Sequence, residues 1–130
     1  MKYLLDVNVL IALGMIEHAL HARVLAWLRA EPSPQLITCS ITELGFVRVL
    51  AQTPAYDTSV ARAQKLLREI KTIRSLSFVF VSDSNGADDL PGWVETGKQT
   101  TDGHLMQLAA KHDAVLATLD RGIPGAFVIP

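Results

Sequence analysis

The sequence is short of several things at once, and each shortage removes a class of protein. It has one cysteine in 130 residues, Cys39, so no internal disulfide can form and a reducing cytosol is the simplest setting. It has no excess of charge, since 12 Lys and Arg stand against 13 Asp and Glu for a formal net charge of -1. No global field draws such a chain onto nucleic acid or anionic lipid, and a nucleic-acid role must rest on local groups. Apolar runs are too short or too interrupted to span a bilayer. The run from Tyr3 to Ile16 behind Met1-Lys2 looks like a signal peptide, but Asp6 and Asn8 fall inside it, and a carboxylate is costly in lipid. No targeting signal and no membrane partner are expected, and the expected location is cytoplasmic. Repeats, low-complexity tracts and linkers are also missing. The length suits one domain over residues 1–130, able to bury roughly two-thirds of its unfolded surface.

What is present is an alternation of apolar runs and amphipathic stretches, which predicts a mostly parallel central sheet flanked by helices, a three-layer α/β/α arrangement. Strands are expected at Lys2 to Leu5, Leu36 to Cys39, Phe78 to Val81 and Ala114 to Leu119, with an edge strand at Ala126 to Ile129. The continuous apolar run Phe78 to Val81 predicts a strand buried on both sides. Helices are expected from Asn8 to Leu13, His18 to Ala30, Ser40 to Gln52, Asp57 to Arg74 and Thr101 to His112. In the fourth of these, Val60, Ala63, Leu66, Leu67, Ile70 and Ile73 form the buried stripe. Residues Ser82 to Gln99 make one long irregular segment, and such segments are often functional.

Against this map the acids fall in a pattern. Asp6 follows the first strand and Asp120 the fourth, while Glu43 and Asp102 lie in the first turns of helices that follow strands or loops. Sites in open parallel sheets form beyond the C-terminal strand ends, so four carboxylates far apart in sequence are brought towards one edge. Two carboxylates about 5 Å apart repel by roughly 3 kcal/mol at an effective dielectric of 20. A divalent cation removes that cost, and an all-oxygen donor set suits Mg²⁺ or Mn²⁺ rather than zinc. Such a centre activates water and steadies a phosphate in flight, which points to phosphodiester hydrolysis. Each acid also has an ordinary explanation. Ser40-Ile41-Thr42-Glu43 reads as a capping box, Asp102 suits a positive helix end, and Asp120 before Arg121-Gly122 is a turn former. Asp6 is the hardest to explain this way, because it sits inside Leu4-Leu5-Asp6-Val7-Asn8-Val9-Leu10.

These motifs, with Ser40-Ile41-Thr42-Glu43 and Arg48 behind it, Thr101-Asp102-Gly103-His104-Leu105 and Ala117-Thr118-Leu119-Asp120-Arg121, occur in the order seen in PIN domains. Over essentially its whole length the chain resembles the VapC-type toxins of bacterial VapBC toxin–antitoxin modules. The resemblance implies a metal-dependent endoribonuclease whose acidic quartet is Asp6, Glu43, Asp102 and Asp120. It implies a homodimer, held in check by a cognate VapB-type antitoxin. On this reading Asp6 and Asp102 hold the metal directly or through water, and Glu43 and Asp120 complete the pocket or orient the attacking water. The products are a 5′-phosphate and a 3′-hydroxyl. The residue after the first acid is often Thr in the family and is Val7 here, so Asn8, Ser40 and Thr118 are the candidates for supporting polar contacts. Arg48, Lys98 and Arg121 flank the motifs as candidate phosphate contacts, and Trp93 is a candidate to stack on an unpaired RNA base.

Other features fit less well. His18 and His21 stand three apart on a helix, but no Cys or acid completes a zinc site around them. Trp27 belongs to an apolar helical face, and Asp88 and Asp89 read as solvated loop charges. A receiver-type phosphorylation domain calls for paired acids after the first strand and a late Lys, where this chain has Asp6 alone and Asp120-Arg121. A haloacid-dehalogenase-type phosphatase needs a second Asp where Asn8 stands. A catalytically silent PIN-like module binding RNA or protein is the remaining alternative, and it is disfavoured because all four acids are present.

Overall fold

The computed structural model describes residues 1–130. Its sheet has five strands: β1 (Lys2–Leu5), β2 (Gln35–Cys39), β3 (Ser77–Val81), β4 (Val115–Thr118) and β5 (Phe127–Val128). They lie in the order β3-β2-β1-β4-β5, and every pair is parallel. The chain moves outward from β1 through β2 to β3, then returns to the other side of β1 for β4. The strand order therefore reverses between β1 and β4, and crevices beyond the C-terminal strand ends at such a point are where open α/β sheets bind ligands.

Five helices cover the sheet unequally: α1 (Val7–Gly14), α2 (His21–Ala30), α3 (Ser40–Gln52), α4 (Val60–Lys71) and α5 (Thr100–Lys111). The larger apolar cluster joins Tyr3 and Leu5 to Val9, Leu10, Trp27, Phe46, Leu50, Leu67 and Ile70, from α1 to α4. The smaller one joins Leu4, Ile37 and Leu116 to Leu105, Leu108 and Ala109 of α5. Alternation of side chains along β1 accounts for the split, because Tyr3 and Leu5 face one layer and Leu4 the other. On the thinner side the loop before α5 completes the cover, with Trp93 packed against the smaller cluster.

Several expected boundaries shift for local reasons. The second helix begins at His21 rather than His18, because the His18 ring accepts the Leu20 amide at 3.0 Å and turns the chain first. The fourth begins at Val60, where the Ser59 hydroxyl caps the Arg62 amide at 3.1 Å, and ends at Lys71. Its expected stripe keeps Ala63, Leu67 and Ile70 buried, but Val60 in its first turn and Ile73 beyond its end are exposed. The expectation that Phe78 to Val81 is buried on both sides is wrong. β3 is an edge strand paired only with β2, and Val79 and Phe80 are exposed. A continuous apolar run does not distinguish a central strand from an edge strand.

Candidate active site

Asp6 does two jobs at the end of β1. As N-cap of α1 it accepts the Val7 amide on Oδ1 at 2.8 Å, and its Oδ2 accepts the Thr118 hydroxyl at 2.7 Å. The side chain is only 8% exposed, so these bonds decide whether a carboxylate can exist there at all. Thr118 is itself held, since its oxygen accepts from the Asp120 amide at 3.0 Å and from Asn8 Nδ2 at 3.2 Å. Asn8 completes the bridge by accepting the Leu119 amide at 3.1 Å. One hydrogen-bonded unit thus locks the end of β1 to the end of β4. Burial pushes the Asp6 carboxyl above its ordinary value, the Thr118 and Val7 bonds pull it back in part, and the charge of Asp120 raises it further.

Asp102 projects from the first turn of α5 and makes no hydrogen bond to another side chain or amide. Burial pushes its carboxyl up, and the charges of Asp6 and Asp120 push it further. The residue beside it, Gly103, shows how the first turn of α5 is seated. A Cβ there would collide with Val94 and crowd Pro91 and Leu90, so only glycine lets the irregular segment pack down on the helix. Asp120 is exposed and accepts the Gly122 amide on Oδ1 at 2.7 Å, in a side-chain turn beyond β4. Three acids from three elements thus act on one another electrostatically, and neither Lys nor Arg is paired with any of them.

Glu43 is placed differently from the capping-box expectation. α3 starts one residue earlier, with Cys39 as N-cap, so Thr42 occupies the third helical position and accepts the Cys39 amide at 3.1 Å. Glu43 is released from capping. Its Oε2 accepts the Thr38 hydroxyl at 2.6 Å and the Lys71 ammonium at 2.6 Å. Ser40 contributes its backbone amide towards Asp83 rather than its hydroxyl to the acids around Asp6. Val7, where the family often has Thr, packs so closely over Gly45 of α3 that a Cβ on that glycine would strike it.

Asp83 is a fifth acid that the sequence reading passed over. It follows β3 as Asp6 follows β1, and the same strand-end rule would have found it. Its Oδ1 lies 2.7 Å from His104 Nε2, and its Oδ2 accepts the Ile41 amide at 3.3 Å. Burial pushes this carboxyl up, but the bonds from His104, the Cys39 thiol and the Ile41 and Ser40 amides outweigh it and hold the carboxyl below its ordinary value. Lys71 belongs by its helical spacing to a solvated face, and that spacing does not report its pairing with Glu43.

Of the candidate RNA contacts, Arg48, Lys98 and Arg121 are exposed, and Trp93 is half-buried. His18 and His21 are engaged with the Leu20 amide and the Ala12 carbonyl and share no ligand geometry. Cys39 is buried, and burial pushes its thiol up to about 11, so it offers no thiolate. The donors left around Asp6 are oxygens, and the Asp6 and Asp102 carboxyls are raised by burial and by the charge of Asp120. That surplus of negative charge fits a hard divalent cation. No three His, Cys, Asp or Glu side chains form a closed ligand cluster. No helix is long and apolar enough to cross a membrane.

The all-parallel sheet, its reversal at β1 and the acids gathered beyond the strand ends define the class: residues 3–126 match the PIN domain, and the chain belongs to the PIN domain family. Within it, the relatives are VapC proteins. The chain is 39% identical to ribonuclease VapC44 of Mycobacterium tuberculosis, over 97% of this chain and 94% of that one. It is 34% identical to ribonuclease VapC38 of the same species, over 92% and 86%. Among solved structures, it is similar to the sarcin–ricin loop cleaving toxin VapC20 of M. tuberculosis, with a TM-score of 0.68 and 14% identity over 98% of this chain and 99% of that one. It is also similar to VapBC2 of Rickettsia felis bound to a DNA fragment from its promoter, with a TM-score of 0.60 and 12% identity over 98% and 96%. At those identities the structures speak for the fold.

Proposed function

We propose that the protein is the toxin of a VapBC-type toxin–antitoxin module, an endoribonuclease that hydrolyses RNA phosphodiester bonds with Mg²⁺ or Mn²⁺. The observation that carries this reading is the group Asp6, Asp102 and Asp120, gathered at the strand reversal without a Lys or Arg partner. Relatives named as ribonucleases at 32–39% identity support the reaction class.

Asp6 and Asp102 would hold the cation, their hard oxygen donors suiting Mg²⁺ or Mn²⁺. When bound, the ion activates water and stabilises charge on the phosphate. Thr118 fixes Asp6 Oδ2, and the Val7 amide fixes Oδ1, so the carboxylate presents its remaining lone pairs in one orientation. Asp120, turned by the Gly122 amide, would orient the attacking water. Glu43 is the fourth acid, held ready by Thr38 and Lys71. Cleavage leaves a 5′-phosphate and a 3′-hydroxyl. Arg48, Lys98 and Arg121 serve backbone phosphates, and Trp93 serves a base where it is uncovered. A homodimer, a VapB-type antitoxin and a cytoplasmic setting complete the reading.

The test is cleavage of total RNA by the purified, antitoxin-free protein with Mg²⁺, with Mn²⁺ and with EDTA. Discrete fragments that need the metal and carry 5′-phosphates are expected. Intact RNA in every condition, from a folded protein that binds Mg²⁺, rejects the nuclease reading for these RNAs.

A further inference from the structure

Lys71 and Phe80 lie at the Glu43 side of the site, and the reaction described above does not require Phe80 at all. Each is unusual in its surroundings. Among the 12 Lys and Arg, only Lys71 reaches an Asp or Glu carboxylate, through its 2.6 Å contact with Glu43. Its ammonium also lies 5.5 Å from the centre of the Phe80 ring. Phe80 is 49% exposed and is the one aromatic among the seven exposed large apolar residues. It pairs in register with Thr38, and residues side by side in a sheet point to the same face. Thr38 in turn donates to Glu43. Ring, ammonium and Glu43 therefore form one continuous rim along the β3 edge.

We infer that Lys71 and Phe80 form a nucleotide subsite for single-stranded RNA, the ammonium taking a backbone phosphate and the ring stacking on an unpaired base. This deepens the RNA-cleaving reading and rests on it. An ammonium has three donors, and Glu43 uses one of them, so a phosphate can be engaged while Glu43 stays held. Proteins that bind single strands combine such a cation with an exposed aromatic platform. An edge strand without a partner on its outer side leaves room for an extended strand to lie alongside. The subsite selects unstacked over duplex RNA, because only an unpaired base presents a free face to the ring. A solitary apolar residue on a surface is ordinary, and if Phe80 is no more than that, its replacement leaves RNA binding untouched.

The experiment measures binding of a fluorescein-labelled, mixed-sequence single-stranded RNA to the whole protein in EDTA, by anisotropy, over a range of salt. Phe80→Ala is expected to weaken binding by roughly 5- to 150-fold. Phe80→Trp is expected to keep affinity and to report contact through quenching of the added indole. Lys71→Gln is expected to flatten the slope of log K against log salt by about 0.7, the loss of one phosphate contact. Arg62→Gln, on the exposed start of α4, serves as the control and should change neither. Unchanged affinity in Phe80→Ala with no quenching in Phe80→Trp overturns the subsite, even if the wild type cleaves RNA normally. Binding that depends on both residues in a protein that never cleaves RNA supports the subsite and overturns the nuclease reading instead. A wild type that binds no single-stranded RNA overturns the subsite outright.

Discussion

Five carboxylates stand beyond the C-terminal ends of this sheet, and the fold treats them in two ways. Glu43 and Asp83 are answered from within, Glu43 by the Lys71 ammonium and Asp83 by His104 and two amides. Asp6 and Asp120 receive hydroxyl and amide hydrogen bonds and Asp102 none, and the charge of Asp120 raises both the Asp6 and the Asp102 carboxyl. The opposite displacements of Asp83 and Asp102 make the contrast concrete, since both begin with burial pushing the carboxyl up. In Asp83 the bonds win, and in Asp102 the neighbouring charges add to burial. An acid that the fold pairs is held in place by folding. An acid left in like company carries a cost in a domain whose whole stability is about 5–15 kcal/mol, and a bound cation would relieve it.

The largest effect expected from breaking this contrast is at Asp6. Asp6→Asn keeps an oxygen to cap α1, but it removes the charge and turns an amide NH2 towards Thr118 in place of the oxygen that accepts its hydroxyl. Its RNA cleavage should fall by more than the roughly 10- to 100-fold that loss of a supporting partner costs a metal site. Asp6→Ala should lose the same activity and also the cap, at about 0.5–2 kcal/mol of stability. Cleavage rates and urea unfolding measured on both variants separate the two roles. Cleavage that survives in Asp6→Asn removes its charge from the mechanism.

A smaller change, of the opposite character, is expected at Asp83, which the fold already pairs. Asp83→Asn should cost roughly 1.5–3 kcal/mol, the range for a hydrogen bond to a charged group. The wild-type carboxyl lies below its ordinary value of 3.8 when folded, so it contributes stability above that value and loses it as pH falls through the folded value. The gap between variant and wild type should therefore be full at neutral pH and close in acid. Urea unfolding across that range checks it. A gap that stays constant into acid means the carboxylate charge is not what His104 and the amides reward.

The same contrast explains what could be read in advance. Asp6 was legible because a carboxylate inside an apolar run has no inexpensive explanation, and Asp120 because it follows a strand. The mostly parallel sheet flanked by helices followed from the alternating runs, because helices and strands bury their faces with different periods, whereas the strand order β3-β2-β1-β4-β5 did not. Asp83 obeys the strand-end rule as well as Asp6 does, but it sits in a segment of Gly, Asn and Asp where any acid resembles loop solvation. The Glu43–Lys71 pair joins residues 28 apart on different helices, and no spacing rule reports such a contact. Capping failed at Ser40 for a narrower reason. Moving the helix start by one residue put Thr42 in the capping position and turned Glu43 outward to Lys71. The error over β3 came from hydropathy, which does not encode whether a second neighbour is present, and that open edge is what leaves Phe80 uncovered.

The smallest effect is the most diagnostic, because its sign is the reverse of the usual one. Most substitutions destabilise a protein, yet Asp102→Asn should raise the thermal midpoint of the metal-free protein at neutral pH. Asp102 has no hydrogen bond to lose, and burial with the charges of Asp6 and Asp120 lifts its carboxyl above 3.8 in the folded state. A carboxyl raised on folding penalises the native state while ionised, and the penalty is relieved as pH falls through the folded value towards the unfolded one. The advantage of the variant should therefore be greatest at neutral pH and disappear in acid. Added Mg²⁺ should act on the two proteins unequally, raising the midpoint of the wild type and leaving that of Asp102→Asn nearly still, because a ligand that binds only the native state stabilises it by mass action. Paired melting curves with and without Mg²⁺ read both effects. If Asp102→Asn melts lower than the wild type at neutral pH, Asp102 is held by the fold like Asp83, and the division between the two sets of acids fails at the residue on which it depends most.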